Sequence, residues 1–511
     1  MEIKELSLNN LKKTKKLGQV YTPEWIVTEI LDLIDYKGEK ILTKKIIDPA
    51  CGNGAFLKLI VKRIIEESLK EKKTALEIKT ILENCVYGIE IDKEEYTKCI
   101  KNLNVIVQKE INQQLQICWK IFNENTLLKY KDFKGFFDYV VGNPPYIRIH
   151  NLDENTRKIL KKNFIFSDGT IDIYISFFEV GFKLLNNKGI LGYITPNSFL
   201  HNSSYKKFRK YLKNTQAIKT LIDFKSNKIF KNFSTYTAIT IINFFEQKDF
   251  FEYKELISNK IKKVNIIYFT ELNDNNWSFS NKEDMKFLKK LYANPNKKVR
   301  DFFEVQYGFA TLRDKIFIGK VTKEKNNLAL FNNHWIEKEL LYKVVKGSSY
   351  KGTLSEIKYI IFPYKKVNNR FVPFSEEELK SKYPNAYNYL LKHKEELLKR
   401  DIDKNAFWYE FGRNQGLQTM YKEKIVVNPL IKENIKYYFL DKETFVYSGI
   451  FITKKNEEYD WNIVESVLKS EEFKRYIQIT SKNFSNGYKS ITTKQIKNFP
   501  TTIRDENILF I

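Results

Sequence analysis

Ile46-Ile47-Asp48-Pro49-Ala50-Cys51-Gly52-Asn53-Gly54-Ala55-Phe56-Leu57 reads as a buried strand, a glycine-bearing turn and a helix that runs through Ile65. A strand handed to a helix through small residues is the first βα turn of a Rossmann-like sheet, where a ligand approaches the backbone closely. The spacing departs from the phosphate fingerprints. No third glycine follows at the dinucleotide position, and there is no Walker lysine. Asp48, an acid at the strand end, repels a pyrophosphate. It suits a cationic ligand instead, such as the amino group or sulfonium region of S-adenosylmethionine.

Downstream, Cys85 to Asp92 reads as the second parallel strand. Glu90 at its end is placed to accept from both hydroxyls of a ribose, and Asp92 caps a helix starting at Lys93. A third strand around Ile117 to Phe122 ends in Asn123-Glu124-Asn125-Thr126-Leu127. There Asn125 either meets the adenine edge of a cofactor or is a polar turn residue. The fourth strand, Phe137 to Val141, stops in Gly142-Asn143-Pro144-Pro145-Tyr146. Two prolines fix φ and remove two backbone donors, so this corner offers oxygens. The Asn143 side-chain oxygen and the Pro144 carbonyl suit the two hydrogens of an exocyclic amine. Tyr146 suits the flat ring that carries that amine.

Upstream, Leu17-Gly18-Gln19-Val20-Tyr21-Thr22-Pro23-Glu24-Trp25 opens a helix. Pro23 fits the first helical position and Thr22 the cap before it. Trp25, Ile26, Ile30, Leu33 and Ile34 then share one face. Beyond the corner, a helical pattern from Gly169 to Leu185 passes through the turn 186–189 into a strand, Ile190 to Ile194. Thr195-Pro196-Asn197-Ser198 then sits at the top of the sheet. Strand-like segments at Lys219 to Phe224 and Tyr236 to Phe245 flank a basic loop, 226–232, that carries Phe230. This rhythm predicts a doubly wound α/β sheet with ligands outside the carboxyl ends of its strands.

Taken in order, the tyrosine-threonine-proline opening, Asp-Pro-Ala-Cys-Gly-x-Gly, Gly-Ile-Glu-Ile-Asp and Asn-Pro-Pro-Tyr resemble the gamma-class adenine-N6 DNA methyltransferases. The resemblance implies a Rossmann-like S-adenosylmethionine-dependent methyltransferase domain over 1–255, followed by a mixed α+β DNA target-recognition domain over 256–511. It places Tyr21, Thr22, Asp48, Ala50, Gly52, Glu90, Ile91 and Asn125 around the cofactor S-adenosylmethionine. Asn125 stands where the family usually has an aspartate. It assigns Asn143, Pro144, Pro145 and Tyr146 to a flipped adenine, with Phe230 as the second aromatic around that base and Phe233 as a substitute for it. The implied activity is sequence-specific methylation of adenine N6 in double-stranded DNA, within or derived from a restriction-modification system. A cognate restriction endonuclease is then an expected partner.

Composition agrees. The 511 residues carry a net charge of +26, which favours a polyanionic partner, although a Lys-, Ile- and Asn-rich chain also arises by drift in an AT-rich genome. No apolar run is long enough to span a bilayer, and the four cysteines show neither metal-ligand nor disulfide spacing, so a cytoplasmic protein is expected. Four scattered histidines argue against a zinc site or a histidine-based hydrolase. In the second half, Val299 to Thr311 reads as opening strands and Glu376 to Arg400 as one amphipathic helix with a stripe of Leu379, Tyr387, Leu390 and Leu391. Basic and amide residues recur at Lys343 to Lys351, Trp408 to Gln418 and Ser481 to Lys494. Among them Arg413, Asn414 and Gln415 suit base edges, or a solvated loop. Rival readings are a glutamine methyltransferase acting on release factors, the modification subunit of a multi-chain restriction enzyme, and a non-catalytic DNA-binding protein. The first lacks a basic C-terminal half, the second carries its tyrosine-threonine-proline segment well inside the chain, and the third has no need of an intact Asn143 to Tyr146. No domain precedes the methyltransferase motifs, so a fused nuclease is not expected there, although one could lie after residue 256.

Overall fold

The computed structural model describes residues 22–167, 172–230, 235–274, 276–368, 370–403, 405–481 and 488–503. The chain divides into two compact units after Lys282. Nine strands build the sheet of the first unit: β1 (Ile46–Asp48), β2 (Val86–Ile89), β3 (Lys120–Phe122), β4 (Phe137–Gly142), β5 (Leu185–Pro196), β6 (Ile218–Asp223), β7 (Thr237–Asn243), β8 (Phe250–Ile257) and β9 (Lys260–Tyr268). Their order across the sheet is β3-β2-β1-β4-β5-β7-β6-β8-β9. β1 to β5 are parallel. β7 inserts antiparallel between β5 and β6, β8 joins β6 in parallel, and β9 closes a hairpin on β8. The strand order reverses between β1 and β4, which makes the carboxyl ends of those two strands the natural place for a ligand.

The helices follow from their apolar stripes. Ala55–Lys70 buries Phe56, Leu57, Ile60, Val61, Ile64 and Ile65 against the sheet, each worth about 1.5–3 kcal/mol by apolar transfer. The helix Ala75–Cys85 starts on a capping box, in which Thr74 accepts from Glu77 N–H and Glu77 reaches back. Asp92 caps Lys93–Ile111, as expected. Glu24–Leu33 differs from expectation at its start. Pro23 is the N-cap, Thr22 makes no capping bond, and the buried face is Ile26, Val27, Ile30 and Leu31. Trp25 is left exposed and Leu33 half-buried. Residues 186–189, expected as a turn, bulge from β5: Phe137 pairs with Leu185 while Tyr139 pairs with Ile190.

The boundary expected at 255/256 falls inside β8, whose partners β6 and β9 keep it in the first unit. The second unit is mixed α+β. One four-stranded sheet holds Phe303–Tyr307, Ile450–Lys454, Lys424–Val427 and Tyr437–Leu440; another holds Ile318–Gly319, Lys358–Ile361, Leu341–Lys346 and Thr444–Tyr447. Val299–Phe302 is a short helix rather than a strand. The single helix expected over 376–400 is three, Glu376–Lys382, Pro384–Lys392 and Lys394–Leu398, because Pro384 cannot continue the first and starts the second. Leu379, Tyr387 and Leu390 are buried as anticipated, and Leu391 is exposed. No helix among the described residues is long and apolar enough to cross a membrane.

Candidate active site

β4 ends at Gly142 with φ at +154°, and a Cβ built there would stand 2.6 Å from the Asp48 carboxylate. The glycine therefore lets the end of β1 and the start of the proline corner press together. Asn143 follows directly. Its Nδ2 donates to Thr22 Oγ1 at 3.1 Å. The hydroxyl expected to cap the first helix is committed to the corner instead, joining residues far apart in sequence. Pro144 is buried, and Pro145 and Tyr146 are half-buried.

Two acids flank the turn after β1. Asp48 is fully enclosed and accepts from Ala50 N–H at 3.0 Å. Burial pushes its carboxyl up to about 8, Ala50 N–H works against this, and the Glu90 charge adds to it. Glu90 accepts from Gly52 N–H and Asp92 N–H, both at 2.8 Å. Burial raises it too, opposed by those two donors. Gly52 takes φ of +54°, and a Cβ there would meet nothing within 4 Å, so the space above the turn is open. Ala50 is half-buried and Ile91 exposed at the end of β2. Asn123 Nδ2 holds the Glu90 carbonyl at 2.8 Å, a support the sequence did not single out. Asn125 accepts from Leu127 N–H at 3.0 Å and caps the short helix Thr126–Lys129. Its oxygen thus serves as the polar turn residue, and a ligand would be met by its amide nitrogen.

The corner and the basic loop bring two aromatics together. Tyr146 and Phe230 touch edge to face, with centroids 6.4 Å apart and planes at 73°. A base sandwiched between parallel rings needs them about 7–8 Å apart, twice a van der Waals contact. Phe230 reaches Tyr146, but the slot between them is closed and the rings are not parallel. Burial raises the Tyr146 phenol. Tyr21 and Phe233 lie outside the described residues.

The base-reading candidates of the second unit also make contacts within it. Arg413 pairs with Asp401 at 2.9 Å and donates to the Gly412 carbonyl. Asn414 accepts from Tyr364 OH at 2.9 Å, and Gln415 donates to the Gly308 carbonyl at 3.4 Å. Gln418 binds both backbone groups of Phe371. All four side chains are exposed, so these bonds tie down a solvated loop, as the sequence allowed.

Residues 55–230, which include the corner and the Phe230 loop, match the family described as Eco57I restriction-modification methylase. The type II restriction enzyme and methyltransferase RM.Eco57I of Escherichia coli is 27% identical over 93% of this chain and 56% of its own length. The type II methyltransferase M.BstVI of Geobacillus stearothermophilus is 28% identical over 59% of this chain and 60% of its own. The chain thus spans little more than half the length of these relatives. Among solved structures, the type IIL restriction-modification enzyme MmeI in complex with DNA superposes with a TM-score of 0.59 at 14% identity, covering 93% of this chain and 65% of that one. That similarity extends the shared fold across both units. The first unit thus carries a segment similar to Eco57I restriction-modification methylases.

Proposed function

We propose that the first unit transfers a methyl group from S-adenosylmethionine to N6 of an adenine in double-stranded DNA, and that the second unit selects the target sequence. The observation that carries this reading is the junction at Gly142. It packs the buried acid of the cofactor turn directly against the residue before Asn143, so the donor site and the amine site share one backbone corner.

The residues present fit the cofactor. The space above Gly52 is open, Glu90 stands at the end of β2, and Asp48 is an acid whose charge burial disfavours until a cation arrives. Thr22, Ala50, Ile91 and the Asn125 amide complete the set that would hold it. When bound, S-adenosylmethionine supplies an electrophilic methyl group on a sulfonium. The protein's part is positioning. With its nitrogen committed to Thr22, the Asn143 amide presents its oxygen as the acceptor, and the Pro144 carbonyl is the second. Adenine N6 is a poor nucleophile because its lone pair is delocalised into the ring. Two fixed acceptors favour a pyramidal nitrogen and raise its electron density, which is electrostatic preorganisation rather than general base catalysis. The amine proton leaves after transfer, when the nitrogen is cationic. The base must be extruded from the duplex at a cost of a few kcal/mol. Stacking on Tyr146 offsets part of that cost, with Phe230 displaced from its present edge contact. Similarity to restriction-modification methylases supports a restriction-modification setting with a cognate endonuclease as partner.

The test is tritiated-methyl transfer to diverse unmethylated DNA. Label is expected in adenine, and Asn143→Ala is expected to lower the rate by about 10²–10³. Label in cytosine, or none, overturns the reading.

A further inference from the structure

β8 and β9 extend the sheet on the side away from β3, and their turn lies near the proposed DNA site. β6 runs parallel to β4 and β5, and β8 runs parallel to β6. The hairpin turn after Ile257 therefore projects from the same edge of the sheet as Asp48 and Gly142. The turn is tight, with Ser258 and Asn259 both left-handed, at φ of 49° and 60°. Asn227 ties it to the loop that carries Phe230: its Nδ2 donates to the Phe224 carbonyl at 3.0 Å and reaches the Leu256 carbonyl at 3.5 Å. Between this hairpin and the helix Glu24–Leu33 lies a cleft of about 480 Å³ lined by Trp25, Glu29, Lys254, Leu256, Lys260 and Ile261. Trp25 is 45% exposed and packs edge-on to Phe224, with centroids 6.0 Å apart.

Two acids of this region are already paired. Glu252 pairs with Lys263 at 2.7 Å and with Lys254 at 3.3 Å. Glu255, across from Lys262, is met by Lys225 at 3.4 Å. Burial raises the Glu29 carboxyl, with the Lys254 charge opposing. Lys228, Lys260 and Lys262 are exposed and make no ion pair among the described residues. Lysines on an edge strand often serve only to block pairing with another sheet. That purpose would spread them along the strand, yet β9 leaves Ile266 and Tyr268 exposed further on and gathers its lysines near the turn.

We propose that Lys228, Lys260 and Lys262 form a rim that holds phosphates of the DNA strand flanking the extruded adenine, with the Trp25 ring as the face beside them. This rests on the DNA reading above. Each lysine that meets a phosphate releases a counterion, so the slope of log Kd against log salt counts the contacts.

The experiment measures binding of the full chain to a labelled duplex across a salt series, with the triple variant Lys228→Gln/Lys260→Gln/Lys262→Gln beside the wild type. Loss of all three contacts is expected to flatten the slope by about 2.7, or about 0.9 per contact. Trp25→Ala is expected to weaken binding several-fold without changing the slope. If the wild type binds and methylates DNA but the triple variant keeps its slope, the cleft belongs to another partner, and this proposal falls while the methyltransferase reading stands. A wild type that neither binds DNA nor transfers methyl groups overturns both. Should the glutamines disturb the hairpin, Lys260→Arg/Lys262→Arg keeps the charge and is expected to keep the slope; a loss of slope there also counts against the proposal.

Discussion

Both units bury ionisable side chains, and they neutralise them in opposite ways. In the first unit Asp48 and Glu90 stand at strand ends beside an open turn, supported by one and two backbone N–H groups and raised by burial. In the second, Arg400 donates to the carbonyls of Leu397, Thr311 and Trp408, and Lys424 to those of Asp441 and Thr444. Burial pulls Arg400 down to about 10 and Lys424 down to about 8. The cations have spent their donors on the fold and are clamps. The acids flank the open turn at Gly52, so a ligand bound there can still alter their charge. Burial alone does not separate a site from a scaffold; the partners do.

The largest test of that contrast is Arg400→Met. It strands the enclosed Thr311 and Trp408 carbonyls, Leu397 keeping a backbone donor, and is expected to cost about 3–5 kcal/mol of unfolding free energy, read by denaturant titration. A loss under about 1 kcal/mol would mean that Arg400 is no clamp. Gly142→Ala comes next. Its Cβ would collide with the Asp48 carboxylate, and φ of +154° is one that alanine rarely adopts. The expected cost is about 2 kcal/mol, with cofactor affinity down at least about tenfold by calorimetry. Unchanged affinity would separate Asp48 from the cofactor.

Asp48→Asn tests the acid itself. The folded carboxyl titrates near 8, while an unfolded one releases its proton near 4. Between those values the folded state holds a proton that the unfolded state has lost, so stability is full below about pH 4 and falls as pH rises towards 8. The amide removes that slope and is expected to stabilise the first unit by about 1 kcal/mol at neutral pH, at the expense of cofactor binding. Hydrogen exchange on peptides from 46–142 over pH 5 to 8 checks it; a slope that survives in the variant assigns the titration elsewhere.

The sheet was legible because its strands end in acids, glycines and prolines at fixed places: Asp48, Glu90 and Asn143 stand at strand ends where their spacing put them. What stayed hidden was pairing across the chain. Thr22 looks like a cap because local pattern favours it, and nothing near it in sequence reveals that Asn143 takes its hydroxyl. Asn125 and Asn414 illustrate the same limit, since an amide that reads a ligand and one that caps a helix or holds a tyrosine have the same local signature. The boundary moved past 255 because β8 and β9 carry no glycine-turn motif and announce themselves only by joining the sheet. The helix expected over 376–400 failed for a readable reason, Pro384, which the amphipathic stripe concealed.

The smallest expected effect belongs to Lys424→Met, and its smallness is informative. Removing the lysine relieves the burial of a charge but leaves the Asp441 and Thr444 carbonyls without a donor, and these terms nearly cancel, to within about 1 kcal/mol at neutral pH. The pH dependence does not cancel. A lysine near 8 in the folded state and about 10.4 unfolded means that, between those values, the unfolded state keeps a proton the folded state has released. Stability from this group is therefore fully present above about pH 10.4 and is lost as pH falls towards 8, the mirror of Asp48. Hydrogen exchange on peptides from 424–447 between pH 8 and 10 is expected to show protection rising with pH in the wild type and flat in the variant. A wild-type slope of the opposite sign would mean that the carbonyl cage holds Lys424 charged, and that the second unit accommodates its buried cation as comfortably as an exposed one.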